Sequence, residues 1–478
     1  MTADRVDVAV VGGGIAGLVA ANRAAQHGLR VIVLEQGTAE KYFCNSRFTG
    51  GTFHAALNDV MSGRDHLLAA IERTTAGAAD DALALAIAED AERAVRWLQS
   101  ERVRFIRASA SPHHRWVLAP PGRVRSGLDW EGRGGDVLLR TLEASLARRG
   151  SRMLRGTRAV GVIREDGVYA GLVAERDGGR TEIRSDELII ADGGFQGDLD
   201  LLRRHVSPMP ERLKQRGAGT GRGDGIRLAR ELGAKLSAMD CFYGHLLSRD
   251  ALENDDLWPY PYLDALARSG IVVDRAGRRF ADEGVSGVFM ANAVARLADP
   301  LSATVVIDAP IWGGPGREGL IPTDPHLTKA GATMFRADTI EELAERAGIG
   351  CALVGTVGNY NRALADGSLA ALDPPREAKA AMPIATPPFY AIPVCAGITY
   401  TMGGILTDAA GRVLAEDGSP IARIYAAGAT TGGLEGGPRA GYVGGLIKGT
   451  VFGLRAAEDI ARRRGTAPAD DAVLERAR

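Results

Sequence analysis

The feature that most narrows the fold lies near the N-terminus. An apolar strand, Val6 to Val11, runs into Gly12-Gly13-Gly14-Ile15-Ala16-Gly17 and then into a helix ending near Gly28. A second apolar strand, Arg30 to Leu34, follows and is closed by Glu35. Gly12, Gly14 and Gly17 fit G-x-G-x-x-G after a strand and at the opening of a helix, the context that gives the motif meaning. The first glycine makes the tight turn, the second lets backbone approach a pyrophosphate, and the third lets helix and strand pack closely. Ile15 and Ala16 place their N–H groups in the first helical turn, facing the negative charge. Glu35, with Gln36 beside it, stands where a carboxylate hydrogen-bonds an adenosine ribose. This β-α-β unit predicts a dinucleotide site; a glycine-rich turn of another α/β fold is the alternative.

Composition limits what surrounds it. The 478 residues suggest about three structural units, and 62 glycines, many clustered, ask for backbone close to a ligand. With 58 Lys+Arg against 59 Asp+Glu, no basic excess steers the chain to nucleic acid or an anionic membrane. Cys44, Cys241, Cys351 and Cys395 form no C-x-x-C pair, so neither an iron–sulfur module nor a zinc site is expected. His113-His114 lack further ligands nearby in sequence. No stretch has the ~20 apolar residues of a membrane span, and the strand pattern begins too early for a signal peptide. The expected location is the cytoplasm.

Along the chain, residues 64–100 read as helical, and another helix follows Gly134-Gly135. Arg158 to Arg164, Val168 to Arg176 and Thr181 to Arg184 read as three antiparallel strands, turned at Asp166-Gly167 and Asp177-Gly178-Gly179. Glu187 to Ala191 returns as a buried strand. From about Leu236 to Pro387 the β-α-β rhythm is lost, and Trp258 to Tyr262 reads as a rigid loop. The expected organisation is a first part of a dinucleotide domain at 1–235, an inserted substrate domain at 236–387, a second part at 388–464 and a tail at 465–478.

Later motifs settle which dinucleotide. Asn45-Ser46-Arg47-Phe48-Thr49-Gly50-Gly51 resembles the flavin-approaching loop of the FAD-dependent fumarate reductase and succinate dehydrogenase flavoprotein family. Ala191-Asp192-Gly193-Gly194-Phe195 resembles that family's A-T-G-G-F, and Thr220-Gly221-Arg222-Gly223-Asp224-Gly225 its T-G-x-G-D-G. Tyr425-Ala426-Ala427-Gly428 is similar to its Y-A-A-G. Gly404, Gly445 and Leu446 complete the flavin contacts that the resemblance implies. It also implies a fold: an α/β protein with a Rossmann-like FAD-binding domain and an inserted α+β cap. Members that tether FAD carry a histidine where this chain has Asn45, so the flavin is expected to be non-covalent. Ala429 replaces a glutamate that often follows Y-A-A-G. No second G-x-G-x-x-G marks an NAD(P)H site, which leaves the substrate and an external acceptor (a quinone, a carrier flavoprotein or oxygen) as electron partners.

The same resemblance implies substrate-side roles. His245 falls on a carboxylate-binding histidine, Tyr400 stands where a second histidine is usual, and Arg439 falls on the substrate-clamping arginine. The proton-donating arginine of the reductive route is expected four residues after Glu283, and that residue is Gly287. Without it, a desaturase fits: hydride leaves the carbon β to a carbonyl or carboxylate, and a base removes the α proton. Tyrosines perform the proton step in the related ketosteroid dehydrogenases, which makes Tyr243, Tyr400 and Tyr442 candidates. A tyrosine of pKa ~10 is about one part in a thousand ionised at pH 7, a deficit of roughly 4 kcal/mol that a neighbouring Arg439 or His245 would reduce. Alternatively Tyr400 stays protonated and donates to an enolate. A fumarate-reductase-like enoate reductase and a non-catalytic electron-transfer flavoprotein are the rivals. His245 also fits a core histidine, and Tyr243 and Tyr442 packing aromatics.

Overall fold

The computed structural model describes residues 5–466 apart from 124, 126 and 320. From 467 onward the expected tail lies outside the described residues. The first sheet has the order Arg412–Leu414, Pro420–Ala426, Gly179–Ile190, Val6–Val11, Val31–Leu34, Arg152–Leu154. Val6–Val11 pairs in parallel with Val31–Leu34 and with the end of Gly179–Ile190, in the register Val10↔Val33 and Val10↔Ile189. These strands are covered on both faces, which is why they read as unbroken apolar runs.

The meander predicted after residue 157 is present, with one difference. Its third strand does not stop at Arg184 but continues as Gly179–Ile190, so a single strand both closes the hairpins and enters the parallel sheet. The helical stretch 64–100 is two helices, Arg64–Thr75 and Asp81–Ser100, the second capped by Asp80, which accepts from Ala82 and Leu83 N–H.

The last helix, Gly445–Arg463, packs on the first, Ile15–Gln26. Gly449 and Gly453, one turn apart, bring the two backbones together: a Cβ on Gly453 would lie 2.7 Å from Ala16 O. Both chain ends thus build one layer.

A second sheet is organised around the thirteen-residue strand Phe389–Thr401, which lies outside the span 236–387 expected for the inserted domain yet pairs with that domain's strands. Lys214–Gln215 pairs with it in parallel; Phe242–Ser248, Thr304–Asp308 and Phe335–Ala337 pair antiparallel. Tyr243 sits opposite Tyr400, and a register shift follows before His245 meets Gly397. At this bulge Gly244 runs so close to the central strand that a Cβ would lie 2.0 Å from Gly397 O. The two layers are tied where Phe195 N–H donates to Thr401 Oγ1 at 3.0 Å.

Arg47 pins the loop that carries Asn45 to Gly51. Its guanidinium is fully buried, donates to Tyr42 O at 2.8 Å and pairs with the equally buried Asp136. Asp136→Ala removes the nearer of two counter-charges, leaving Glu143 at 3.5 Å, and removing one partner of a buried pair costs about 3–5 kcal/mol. Urea denaturation should show a loss of this size, largely recovered in Arg47→Met/Asp136→Leu; a loss below about 1 kcal/mol in the single variant would contradict the role given to the pair.

Candidate active site

The dinucleotide turn is held by close backbone approach. Gly12 has φ +105°, and a Cβ there would lie 2.4 Å from Ala191 O; a Cβ on Gly17 would lie 2.0 Å from Gly12 O. Gly14 precedes the first helix with no cap from its own side chain; Ser46 Oγ accepts from Ile15 N–H at 3.0 Å. Ala16 is buried behind the turn, against Gly449 and Gly428. Glu35 accepts Gly13 N–H at 2.9 Å and Gly37 N–H at 2.7 Å, one on each oxygen. Burial raises its pKa. Gln36 donates to Thr220 O at 2.9 Å, bringing the 220–225 turn to the end of the second strand.

Asn45 joins the flavin loop to the cap, donating to Thr399 O and accepting from Ala218 N–H, both at 2.8 Å. Thr49 Oγ1 accepts Gly51 N–H at 3.1 Å. Nothing lies within 4 Å of the Cβ positions of Gly50 and Gly193, so both backbones border open space. Asp192 accepts Gly225 N–H at 2.7 Å, and burial pushes its carboxyl up to about 7. Asp224, just after Gly223, is held by Arg158 through two bonds of 2.8 Å and by Arg227, so its carboxylate anchors the turn through these arginines. Gly404 packs on Thr430, and Gly445, next to the half-buried Leu446, opens the last helix. Two helix N-termini with a glycine as the N-cap residue, Gly14 and Gly444, lie in the segments the sequence assigns to FAD, together with open backbone at Gly50 and Gly193. These residues fit a flavin dinucleotide. Gly17→Ala should therefore raise the apparent Kd for FAD at least about tenfold while far-UV circular dichroism is unchanged, read from bound flavin absorbance per chain. Full flavin content would contradict the close-approach argument.

On the cap side, three tyrosines converge. Tyr243 stacks on Tyr442 with ring centroids 3.8 Å apart, and Tyr400 lies 5.6 Å from Tyr243. Tyr400 hydroxyl donates to Glu435 at 3.0 Å. That carboxylate also accepts Val443 and Gly444 N–H and pairs with the buried Lys448 at 3.2 Å. Burial first, and then the Glu435 charge, hold the Tyr400 pKa well above 10. Its proton is committed to Glu435, which leaves it poorly placed to donate to an enolate or to act as a base. Tyr243 is also raised well above 10 by burial, with Arg216 opposing. Tyr442 is raised by burial and by Glu435, and packs edge-on against His54.

His245 uses both ring nitrogens inside the protein. Nδ1 lies 2.6 Å from Asp264 Oδ2, and Nε2 lies 3.1 Å from the Tyr243 hydroxyl. Its ring stacks on Tyr262 at 3.9 Å, so the Trp258–Tyr262 run, read as a loop, walls this cluster. Buried Arg216 donates to Tyr262 Oη at 2.7 Å and to Thr399 Oγ1 at 2.6 Å. Arg439 pairs with Glu377 at 2.7 Å, half-buried, and holds that carboxyl below its usual range. The cation whose charge acts on Tyr243 is therefore Arg216, in place of the Arg439 that the sequence suggested. Glu283 is fully buried between Arg279 and Arg376 and anchors the segment leading to Gly287.

Asp264, Arg216, Tyr262, Glu435 and Lys448 are the residues that sequence reasoning missed. A signal existed for the last: a lysine inside the apolar helix 445–463 needs a buried partner. Among the described residues no group of three or more His, Cys, Asp and Glu side chains is placed to hold a metal ion, and no helix is long and apolar enough to cross a membrane.

Comparison with known proteins places the chain in a family. Residues 7–442 match the model of an FAD-binding domain family. The vinyl phenol reductase of Lactiplantibacillus plantarum is 26% identical over 466 residues, covering 91% of each chain. A fumarate reductase (cytochrome) of Shewanella frigidimarina is 26% identical over 472 residues, 96% of this chain and 77% of that one. In fold, the chain is similar to the 3-ketosteroid-Δ4-(5α)-dehydrogenase of Rhodococcus jostii RHA1, with a TM-score of 0.71 at 22% identity, covering 96% of this chain and 97% of that one. With the glycine turn, Glu35 and the flavin loop in place, the chain belongs to the FAD-binding family of fumarate reductase and succinate dehydrogenase flavoproteins, and it is an FAD-dependent oxidoreductase.

Proposed function

We propose that this oxidoreductase is a desaturase that removes a proton and a hydride from a saturated C–C bond next to the carbonyl or carboxylate of a small oxo-acid, polycarboxylate or cyclic ketone. One observation carries the reading. Position 287 is glycine, a Cβ there would lie 2.0 Å from Asp264 Cγ, and this aspartate turns toward a tyrosine cluster through His245. A side chain at 287 would displace the Asp264 carboxylate, and the tyrosine cluster next to His245 supports a tyrosine in the proton step.

Bound FAD supplies the two-electron acceptor for the hydride. The chain's own residues do the rest. Tyr243 receives the α proton, Tyr442 stacks behind it, and Tyr400 is held in place by Glu435. Arg439, released from Glu377, holds a substrate carboxylate or carbonyl through two parallel bonds. Asn45, in the tethering position of covalent relatives, leaves the flavin non-covalent. The electrons then pass to an external acceptor (a quinone, a carrier flavoprotein or oxygen), and the four free cysteines suit the reducing cytoplasm.

Enoate reduction is the second reading. It is favoured by the raised pKa values of Tyr243 and Tyr442, which keep both phenols protonated. The two readings differ in direction. Anaerobic addition of tricarballylate, 4-oxocyclohexanecarboxylate or a saturated 3-oxosteroid should bleach the oxidised flavin with at least one of the three. Fumarate should reoxidise the reduced flavin slowly. Reoxidation by fumarate at ~10 s⁻¹ or faster, with no bleaching by the saturated compounds, would establish the reductase instead.

Two further outcomes follow from the assigned residues. Acid precipitation should release FAD into the supernatant; flavin left on the precipitated chain would contradict the non-covalent assignment. Arg439→Ala should raise KM and lower kcat together, since a lost clamp harms positioning in ground and transition states alike. An unchanged KM would remove Arg439 from the substrate site.

A further inference from the structure

We infer that Asp264 is a positioning residue for the proton step: it fixes the imidazole of His245 so that Nε2 accepts the proton of the Tyr243 hydroxyl, and Gly287 exists to make room for it. The chemistry rests on the desaturase reading; the geometry does not.

Asp264 opens the short helix Asp264–Ser269, and both its oxygens are engaged by the strand carrying the tyrosine. Oδ1 accepts Leu246 N–H at 2.9 Å, and Oδ2 lies 2.6 Å from His245 Nδ1. An ionised carboxylate only accepts, so Nδ1 carries the hydrogen and Nε2 presents its lone pair. The group 3.1 Å from Nε2 is the Tyr243 hydroxyl, which must then donate. His245 and Tyr243, two residues apart on one strand, face the same way despite the bulge between them.

Other groups around the imidazole are consistent with a neutral ring at rest. Tyr262 stacks on it, and Arg216, bonded to Tyr262, adds a positive charge nearby. Burial, followed by opposing help from Asp264 and a smaller push from Arg216, places His245 below the ordinary histidine value. Gly287 completes the arrangement: its Cβ position lies 2.0 Å from Asp264 Cγ and 2.1 Å from Oδ2, so any other residue there displaces the carboxylate. The glycine that removes an arginine also admits the aspartate.

In the proton step the α C–H bond breaks and its electron pair stays on the substrate as half of the new double bond, while the neighbouring C–H pair leaves as hydride. The α proton bonds to Tyr243 Oη as that oxygen's own hydrogen bonds to His245 Nε2. The imidazolium that results is stabilised by Asp264. No phenolate forms at rest, so the high pKa of Tyr243 is not an obstacle.

The test is the tautomer, read without any substrate. Holoenzyme labelled with ¹⁵N-histidine, eight residues in all, should give a His245 signal, assigned by its loss in His245→Gln, with the proton on Nδ1 at pH 8. In Asp264→Asn the amide N–H₂ faces Nδ1 and should move the proton to Nε2; in Gly287→Ala the Nδ1–H preference should weaken at unchanged flavin content. With whichever saturated compound of the panel above bleaches the wild-type flavin, Asp264→Asn should lower kcat about 10²–10⁴-fold with KM changed less than about threefold. The acid limb of its kcat profile should move to lower pH, because the group that favours the imidazolium is gone. An Nε2–H tautomer or an imidazolium in the wild type at pH 8, or an unmoved tautomer in both variants, would overturn the inference. If no saturated compound bleaches the flavin, the desaturase reading fails and the tautomer still judges the relay.

Discussion

A single buried carboxylate joins the two halves of this enzyme. Glu435 accepts the Tyr400 hydroxyl from the central cap strand, the Val443 and Gly444 N–H groups from the approach to the last helix, and the ammonium of Lys448 from within that helix. The helix is also the one that packs through Gly449 and Gly453 on the dinucleotide helix. Cap tyrosine and flavin-side backbone are therefore fixed relative to one another by one charge-assisted network. A buried, fully engaged network of this kind specifies geometry because each member left alone would be costly.

The consequence is a division of labour among tyrosines that look equivalent in sequence. Tyr400 keeps its proton and directs its hydroxyl to a carboxylate already paired with a lysine, which leaves it a fixed wall. Tyr243, opposite it in register, donates instead to a histidine whose second nitrogen is held by Asp264. An imidazole is the better proton acceptor of the two at neutral pH, since protonating it creates a charge that Asp264 compensates.

The flavin half was largely legible in the sequence, and the reason is locality. Gly12 to Gly17, Glu35, Asn45 to Gly51 and Ala191 to Phe195 are each contiguous runs whose backbone demands can be read in place. The fold class and the cofactor followed from them. The cap was legible only in part. His245 and Tyr243 were candidates that the structure brings together, but their partners Asp264, Tyr262 and Arg216 come from other elements, and strand pairing and the bulge at Gly244 decide that they meet. Arg439 was expected to clamp the substrate and, with His245 as the alternative, to lower a tyrosine pKa; its hydrogen bond goes to Glu377. Gly287 was read as the loss of an arginine; only the position of Asp264 showed what the missing side chain admits.

In the proposed desaturation the proton passes through Tyr243 and not through its neighbour Tyr400. This route is tested most directly by comparing anaerobic flavin reduction in Tyr243→Phe and Tyr400→Phe, using a saturated compound that bleaches the wild-type flavin. Each change removes one hydroxyl and leaves a ring of similar shape. The reduction rate should fall about 10²–10⁴-fold in Tyr243→Phe and less than about tenfold in Tyr400→Phe. Near-wild-type reduction in Tyr243→Phe, with the large loss in Tyr400→Phe, would contradict this route.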